Sequence, residues 1–357
     1  MKKLIALLLA AAMVLSMAAC GAAAPVAGKE ESGETVVFTD DAGREVEIPA
    51  EITRIVPTGP VAQAMLYALA PEMFVGLAAK WSGFAEGIVP EEYLNLPYFG
   101  QLYNFSNLNV EELALAAPQV IIDIGQSMST GVEDLESLQN QTNIPTVFIS
   151  SSLETMGDTY RRLGQLLGKE EKAEQLAQLC EKIYSRTVSI MEQVGDNKVN
   201  ALYVLGEAGL NVLPQTSYHS QLIDMLTNNI AMVDNPSSKG SGNEVTMEQI
   251  ALWNPDFVLF AADSIYDTVT EMDTWTEITA ITNGDYLKVP EGPHNWIGTP
   301  AAAQRHLGMI WLTAQLYPEY CDYDVKAEIM EFYEVFYNCQ LTEEQYNNLT
   351  ANAFLEK

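Results

Sequence analysis

Asn109-Val110-Glu111-Glu112-Leu113-Ala114-Leu115-Ala116-Ala117-Pro118-Gln119-Val120-Ile121-Ile122 and, 137 residues later, Thr246-Met247-Glu248-Gln249-Ile250-Ala251-Leu252-Trp253-Asn254-Pro255-Asp256-Phe257-Val258-Leu259 follow one pattern. Each opens on a residue able to accept a hydrogen bond from the first helical turn, Asn109 or Thr246. Each then carries a Glu two positions on, where the helix dipole favours an acid. Two turns of helix run to a Pro, and an unbroken apolar stretch follows that reads as a buried strand. The helix-Pro-strand unit therefore occurs twice, as expected if the chain is built from two related halves.

Outward from these units, short apolar runs alternate with helical patterns. Before the first unit come Arg54-Ile55-Val56, a helix from about Val61 to Leu69, and Phe74-Val75-Gly76-Leu77-Ala78. After it come a helix from about Gly131 to Gln141 and Thr146-Val147-Phe148-Ile149. Such alternation predicts parallel strands with crossover helices. Val36 to Thr39 and Arg44 to Pro49, around Asp40-Asp41-Ala42-Gly43, predict an entry hairpin. From Leu153 to Val194 the helical period is nearly uninterrupted, relieved only at Gly168-Lys169. Forty helical residues would make a rod of about 60 Å. Beyond it the alternation resumes: Ala201 to Leu205, helices from about Ser217 to Asn228 and Met247 to Trp253, and Phe257 to Ala261. A helix near Trp275 to Ile278, Tyr286 to Val289, a helix from about Ala301 to Leu316, and an amphipathic tail complete it. The expected fold class is α/β: two Rossmann-like lobes with central, mainly parallel sheets joined by one long α-helix. The lobes are placed at residues 36–152 and 198–357, with the connecting helix at 153–197.

The chain has 357 residues, enough for two domains of ordinary size. Its 48 acidic and 18 basic residues give a formal charge of −30. That balance excludes a nucleic-acid binder, which needs clustered Lys and Arg against phosphate. At the start, Met1-Lys2-Lys3, the apolar run Leu4 to Leu15 and Ser16-Met17-Ala18-Ala19 read as a signal sequence over residues 1–19. The apolar run is shorter than the roughly 20 residues a spanning helix needs. Residues 20–35, rich in Ala, Gly, Ser and Glu, read as a flexible tether. Cys180, Cys321 and Cys339 are too few for a disulfide framework at this length, although a bridge between Cys321 and Cys339 is conceivable.

Ala18-Ala19-Cys20-Gly21 resembles the bacterial lipobox, in which the Cys thiol is lipidated and becomes the new N-terminus; the resemblance implies a protein anchored to the outer face of the cytoplasmic membrane. The body resembles the substrate-binding proteins of ABC importers for iron complexes (siderophores or haem) and cobalamin. The residues carrying that resemblance are Asp41-Ala42-Gly43-Arg44, Ile48-Pro49, the two helix-Pro-strand units, Trp311-Leu312 and Leu316-Tyr317-Pro318-Glu319, and it extends over about Val36 to Tyr337. It implies two lobes that close on a ligand with little hinge movement, an ABC permease and its ATPase as partners, a monomer, no cofactor, and no catalysis. It also implies one surface Glu per lobe docking on Arg residues of the permease; position by position these are Glu111 and Glu248.

In α/β lobes ligands sit beyond the carboxyl ends of strands, so the cleft is sought in those loops. The candidates are Thr58, Gly59, Trp81, Tyr103, Gln126, Tyr218, His294, Trp296 and Arg305, with Asp263 in the same set of loops. Thr58-Gly59-Pro60 and Gly298-Thr299-Pro300 are each expected to open a helix, whose free N–H groups would attract an anion. The bland alternative is that Thr and Pro merely cap and start those helices. Trp81, Tyr103, Tyr218 and Trp296 could face a flat chelate or pack in the core, and Arg305 could meet a ligand charge or solvent. His219, His294 and His306 all come after the long helical span, which disfavours capture of a bare metal ion by ligands from both lobes. A metal chelate is the expected ligand, with a molybdate-type oxyanion as alternative. A hydrolase using Ser127, Asp263 and His294 is the rival class, without a Gly-x-Ser-x-Gly elbow to support it. An adhesion or structural lipoprotein would need a solenoid period or an all-β pattern, and neither is present.

Overall fold

Val120-Ile121-Ile122 and Phe257-Val258-Leu259-Phe260 are apolar on both faces, so each can exist only as an inner strand covered from two sides. Each is paired on both sides with parallel strands, the second within a larger sheet that also has antiparallel members. The computed structural model describes residues 33–101, 108–126, 131–237 and 239–355. The chain divides into two units, Met1–Glu34 and Thr35–Lys357. Cys20, the residues 1–19 read as a signal sequence, and all but the last three of residues 20–35, read as a tether, lie outside the described residues. Every element of secondary structure named below belongs to the second unit.

The hairpin β1 (Thr35–Thr39) and β2 (Glu45–Pro49) leads into β3 (Ile55–Pro57), α1 (Pro60–Leu69), the short α2 (Glu91–Leu94) and α3 (Val110–Ala116). Then come β4 (Val120–Gly125), α4 (Gly131–Thr142) and β5 (Thr146–Ser150). Strands β3, β4 and β5 pair in that order, all parallel. Phe74 to Ala78, expected as a strand, makes only isolated bridges, Ile55 with Phe74 and Leu77 with Tyr98. The hairpin is fastened to β5 through Asp40 and Asp41. Buried Asp40 accepts hydrogen bonds from the Ala42 and Arg44 N–H groups, from the Arg44 guanidinium and from Phe148 N–H. Asp41 accepts from Ser150 N–H at 2.8 Å and from Arg162.

The forty-residue rod is two helices, α5 (Met156–Leu167) and α6 (Glu170–Val194). Gly168 ends α5 with φ +64, a left-handed cap that costs little without a Cβ. The chain then folds back so closely that a Cβ on Gly164 would stand 2.4 Å from that of Ala173. Arg161 clamps the pair, bonding Glu174 at 2.7 Å and Glu181 at 2.5 Å. The long connecting helix is thus α6, 25 residues and about 37 Å. It packs against α1 of the first lobe and against helices of the second.

The second lobe holds β6 (Asn200–Leu205), β7 (Asn211–Val212), α7 (Gln221–Leu226), β8 (Asn228–Asn229), β9 (Asn243–Glu244), α8 (Met247–Trp253) and β10 (Phe257–Phe260). Next are α9 (Thr279–Asn283), which replaces the helix expected at Trp275 to Ile278, then β11 (Tyr286–Lys288) and α10 (Arg305–Leu316). Its sheet runs β11-β10-β6-β7-β9, with β8 beside β6; β6, β10 and β11 are parallel. The tail helices α11 (Val325–Tyr337) and α12 (Glu343–Leu349) cross back to the first lobe. There α11 packs on α1, Tyr67 meets Tyr337, and Gln345 Nε2 donates to Gly87 O at 2.8 Å. Cys180, Cys321 and Cys339 are all free thiols, so the conceivable Cys321–Cys339 bridge is not formed.

Candidate functional site

Strands β6, β10 and β11 end side by side, and the segments leaving them wall a cavity of about 430 Å³. Tyr203 and Leu205 reach it from β6, Asp263 from the loop after β10, and Glu291 and Asn295 from the segment after β11; Phe84 closes it from the first lobe. The Tyr203 hydroxyl is buried and has Asn295 as its polar neighbour, yet completes no hydrogen bond of ordinary geometry. Burial, and then the nearby Asp263 charge, push the Glu291 carboxyl up to about 7.

The lobes also meet along a seam beside this cavity. The Trp81 indole sits between Tyr67, edge-on at 5.1 Å, and the His294 ring, stacked at 5.3 Å with 24° between planes. Ser82 Oγ donates to Pro293 O at 3.4 Å, and Tyr218 hydroxyl to Ser151 O at 3.3 Å. Under Tyr218 lies Arg305, 0% exposed, with its guanidinium carbon 5.4 Å from the tyrosine ring centre. Arg305 Nη1 donates to Gln221 Oε1 at 2.8 Å and Tyr218 O at 3.3 Å, whereas Nε and Nη2 have no partner. Burial lowers its pKa to about 10, so it stays charged near neutrality.

Trp81, Tyr218 and His294 lie along the seam, and Arg305 lies directly beneath Tyr218. Thr58 is buried at the end of β3 and donates to Asp123 Oδ1, which sets a carboxylate beside the start of α1. Gly59 is the extended residue before Pro60 opens α1, and Gln126 is exposed where β4 ends. Trp296 is a correction: it is 0% exposed, packs edge-on against Trp311 and donates its indole N–H to the Tyr333 hydroxyl, so it belongs to the core. Gly298-Thr299-Pro300 is another. The helix begins at Arg305, five residues beyond Pro300, so no helix start is offered there. Tyr103 and Ser127 lie outside the described residues. Asp263 lines the cavity while His294 Nε2 makes no hydrogen bond. Tyr203 and Glu291 escape the sequence reading: Tyr203 lies within a strand, and Glu291 sits just after β11, ahead of the His294 segment.

His294 and His306 are both held down to about 4 by burial, and burial also lowers His219. Between about pH 4 and 6.5 the unfolded chain binds the more protons at His294 and His306, so they make stability rise with pH. Glu291 acts oppositely: its folded pKa is the higher, so the stability it contributes is lost as pH rises from about 4.5 through 7. Glu291→Gln should remove that decline, and denaturant titrations at pH 5 and 8 check it. A variant as pH-sensitive as the parent would refute it.

Among the described residues no group of three or more His, Cys, Asp or Glu could hold a metal ion, and no helix is long and apolar enough to cross a membrane. Glu111 and Glu248 are exposed in the first turns of α3 and α8. Asn109 Oδ1 accepts from Glu112 N–H, and Thr246 Oγ1 from Gln249 N–H, each at 3.2 Å. Both seven-residue helices end on a left-handed residue, Ala117 or Asn254, before the Pro and the strand.

The sequence model described as periplasmic binding protein matches residues 56–291. The chain belongs to the periplasmic binding protein family. No curated protein matches it. Among solved structures, this periplasmic binding protein is similar to an ABC transporter solute binding protein from Sulfurospirillum deleyianum, at 24% identity and a TM-score of 0.80, covering 88% of this chain and 99% of that one. It is also similar to a periplasmic solute binding protein from Veillonella parvula, at 25% identity and 0.71, covering 88% and 97%. A third is the molybdate periplasmic binding protein MolA of Haemophilus influenzae, bound to molybdate, at 18% identity and 0.70, covering 86% and 99%.

Proposed function

We propose that this periplasmic binding protein is a lipid-anchored receptor outside the cytoplasmic membrane. It takes a metal chelate of the ferric siderophore, haem or cobalamin kind between its lobes and passes it to an ABC permease. The observation that carries this reading is the cavity of about 430 Å³ at the strand ends of the second lobe, met by Phe84 of the first, within the usual 300–1,000 Å³ of small-molecule pockets. Its donors are a phenol, amides and two carboxylates rather than a convergent metal-ligand set, which suits a metal already wrapped in an organic shell. Asp263 and Glu291 favour a neutral or positively charged outer face on that shell.

The buried Arg305, with two unbonded nitrogens, favours the second reading, an oxyanion such as molybdate or tungstate. Against it, the Asp123 carboxylate beside α1 opposes an anion at that helix start. Titration followed by tryptophan fluorescence separates the readings, since Trp81 lies on the seam. Ferric complexes of graded charge, haemin or cobalamin should bind saturably and molybdate should not. Submicromolar molybdate binding that is lost in Arg305→Met would establish the oxyanion instead.

Docking is assigned to Glu111 and Glu248, one on each lobe, which together fix an orientation that a single contact cannot. Anchoring is assigned to the thiol of Cys20. Cys20→Ala should move the protein from the membrane to the soluble fraction on cell fractionation, and retention would mean a different anchor.

A further inference from the structure

Leu115 and Leu252 are 85% and 80% exposed, more than any other large apolar side chain among the described residues. A single exposed leucine is ordinary, but these two occupy matching places. Each stands four residues after the docking glutamate on the same short helix, hence on the same helical face as Glu111 or Glu248. On each helix the inward position is filled by a fully buried residue, Leu113 or Ile250, so the outward leucine is not displaced from the core. Helix length, capping pattern and left-handed terminator also match in α3 and α8.

We propose that Leu115 and Leu252 form the apolar half of the docking surface. The partner is then the outer face of the permease, presenting twice a basic side chain with an apolar notch about one helical turn away. This rests on the docking role proposed for Glu111 and Glu248. Charge complementarity selects that occupant: neither glutamate has an ion-pair partner among the described residues, and the chain carries −30. A second copy of this chain would set acid against acid. The two residue types divide the work: the carboxylates speed encounter and fix orientation, and the leucines slow departure once water is excluded.

The test is surface plasmon resonance and ATPase stimulation with full-length protein and its permease–ATPase complex in nanodiscs. Leu115→Ala/Leu252→Ala should dissociate at least tenfold faster, with on-rate, salt dependence, ligand affinity and thermal unfolding unchanged. Glu111→Gln/Glu248→Gln should instead slow association and flatten the salt dependence. An unaltered leucine variant beside a defective glutamate variant overturns the apolar contact and leaves the docking role standing. Two unaltered variants overturn both. If the leucine changes act only by dissociating a dimer or by weakening binding to protein-free vesicles, the face serves another surface and the proposal fails.

Discussion

Replacing Glu111 and Glu248 together by Ala is expected to cut permease-coupled uptake about a hundredfold while leaving ligand affinity at its original value. The size comes from where the carboxylates act. In solvent an exposed ion pair contributes only about 0.2–1 kcal/mol. At a closed interface the coupling of a close charge pair rises to about 1.5 kcal/mol or more, and two such pairs give about 3 kcal/mol, a factor near one hundred. Both side chains are exposed and neither lines the cavity at the ends of β6, β10 and β11, so the loss should appear in transport and ATPase stimulation alone. Each single variant should lose about tenfold. Reduced ligand affinity in the double variant would place the two glutamates in the pocket and end the docking assignment.

Asp40→Ala is expected to destabilise the body by about 3–5 kcal/mol, the range for breaking a buried ion pair on one side. Asp40 is 3% exposed and accepts from Arg44 at 2.6 Å and from three backbone N–H groups, of Ala42, Arg44 and Phe148. Its removal leaves a mostly buried guanidinium uncompensated and the Phe148 N–H without its acceptor. Asp40→Asn keeps some of these bonds and should lose less, and adding Arg44→Met to Asp40→Ala should recover part of the loss. Urea denaturation measures all three; a change below about 1 kcal/mol for Asp40→Ala would show that the hairpin contributes nothing through this carboxylate. The consequence should reach the seam, because Asp41 holds Ser150 and Tyr218 bonds the neighbouring Ser151.

The limits of α3 and α8 could be read directly from the chain, because a helix that begins on a capping side chain and stops before Pro is specified locally. The division of the long helical span could not. Periodicity on either side of Gly168 is the same whether the chain continues straight or reverses, and the reversal is fixed by the approach of Gly164 to Ala173. Trp81 and Trp296 have the same chemistry, yet one faces the seam and the other the core, since their environments depend on residues far away in the chain. Asp263 could be found from the rule that ligands gather beyond strand ends. Tyr203 points into the cavity from within β6 and escapes that rule, and Glu291 looks like one more surface acid until the fold partly buries it beside Asp263.

The long helix α6 and the returning helix α11 each touch both halves of the body, so the frame is cross-braced at two separate places. A rotation about either brace strains the other, which limits how far the jaws can swing apart. For the receptor role proposed above, such stiffness would leave entry and exit of cargo to small rearrangements along the seam, where the rings of Trp81 and His294 stack. A permease reading the state of this molecule would sense a change in rim texture rather than a change in span.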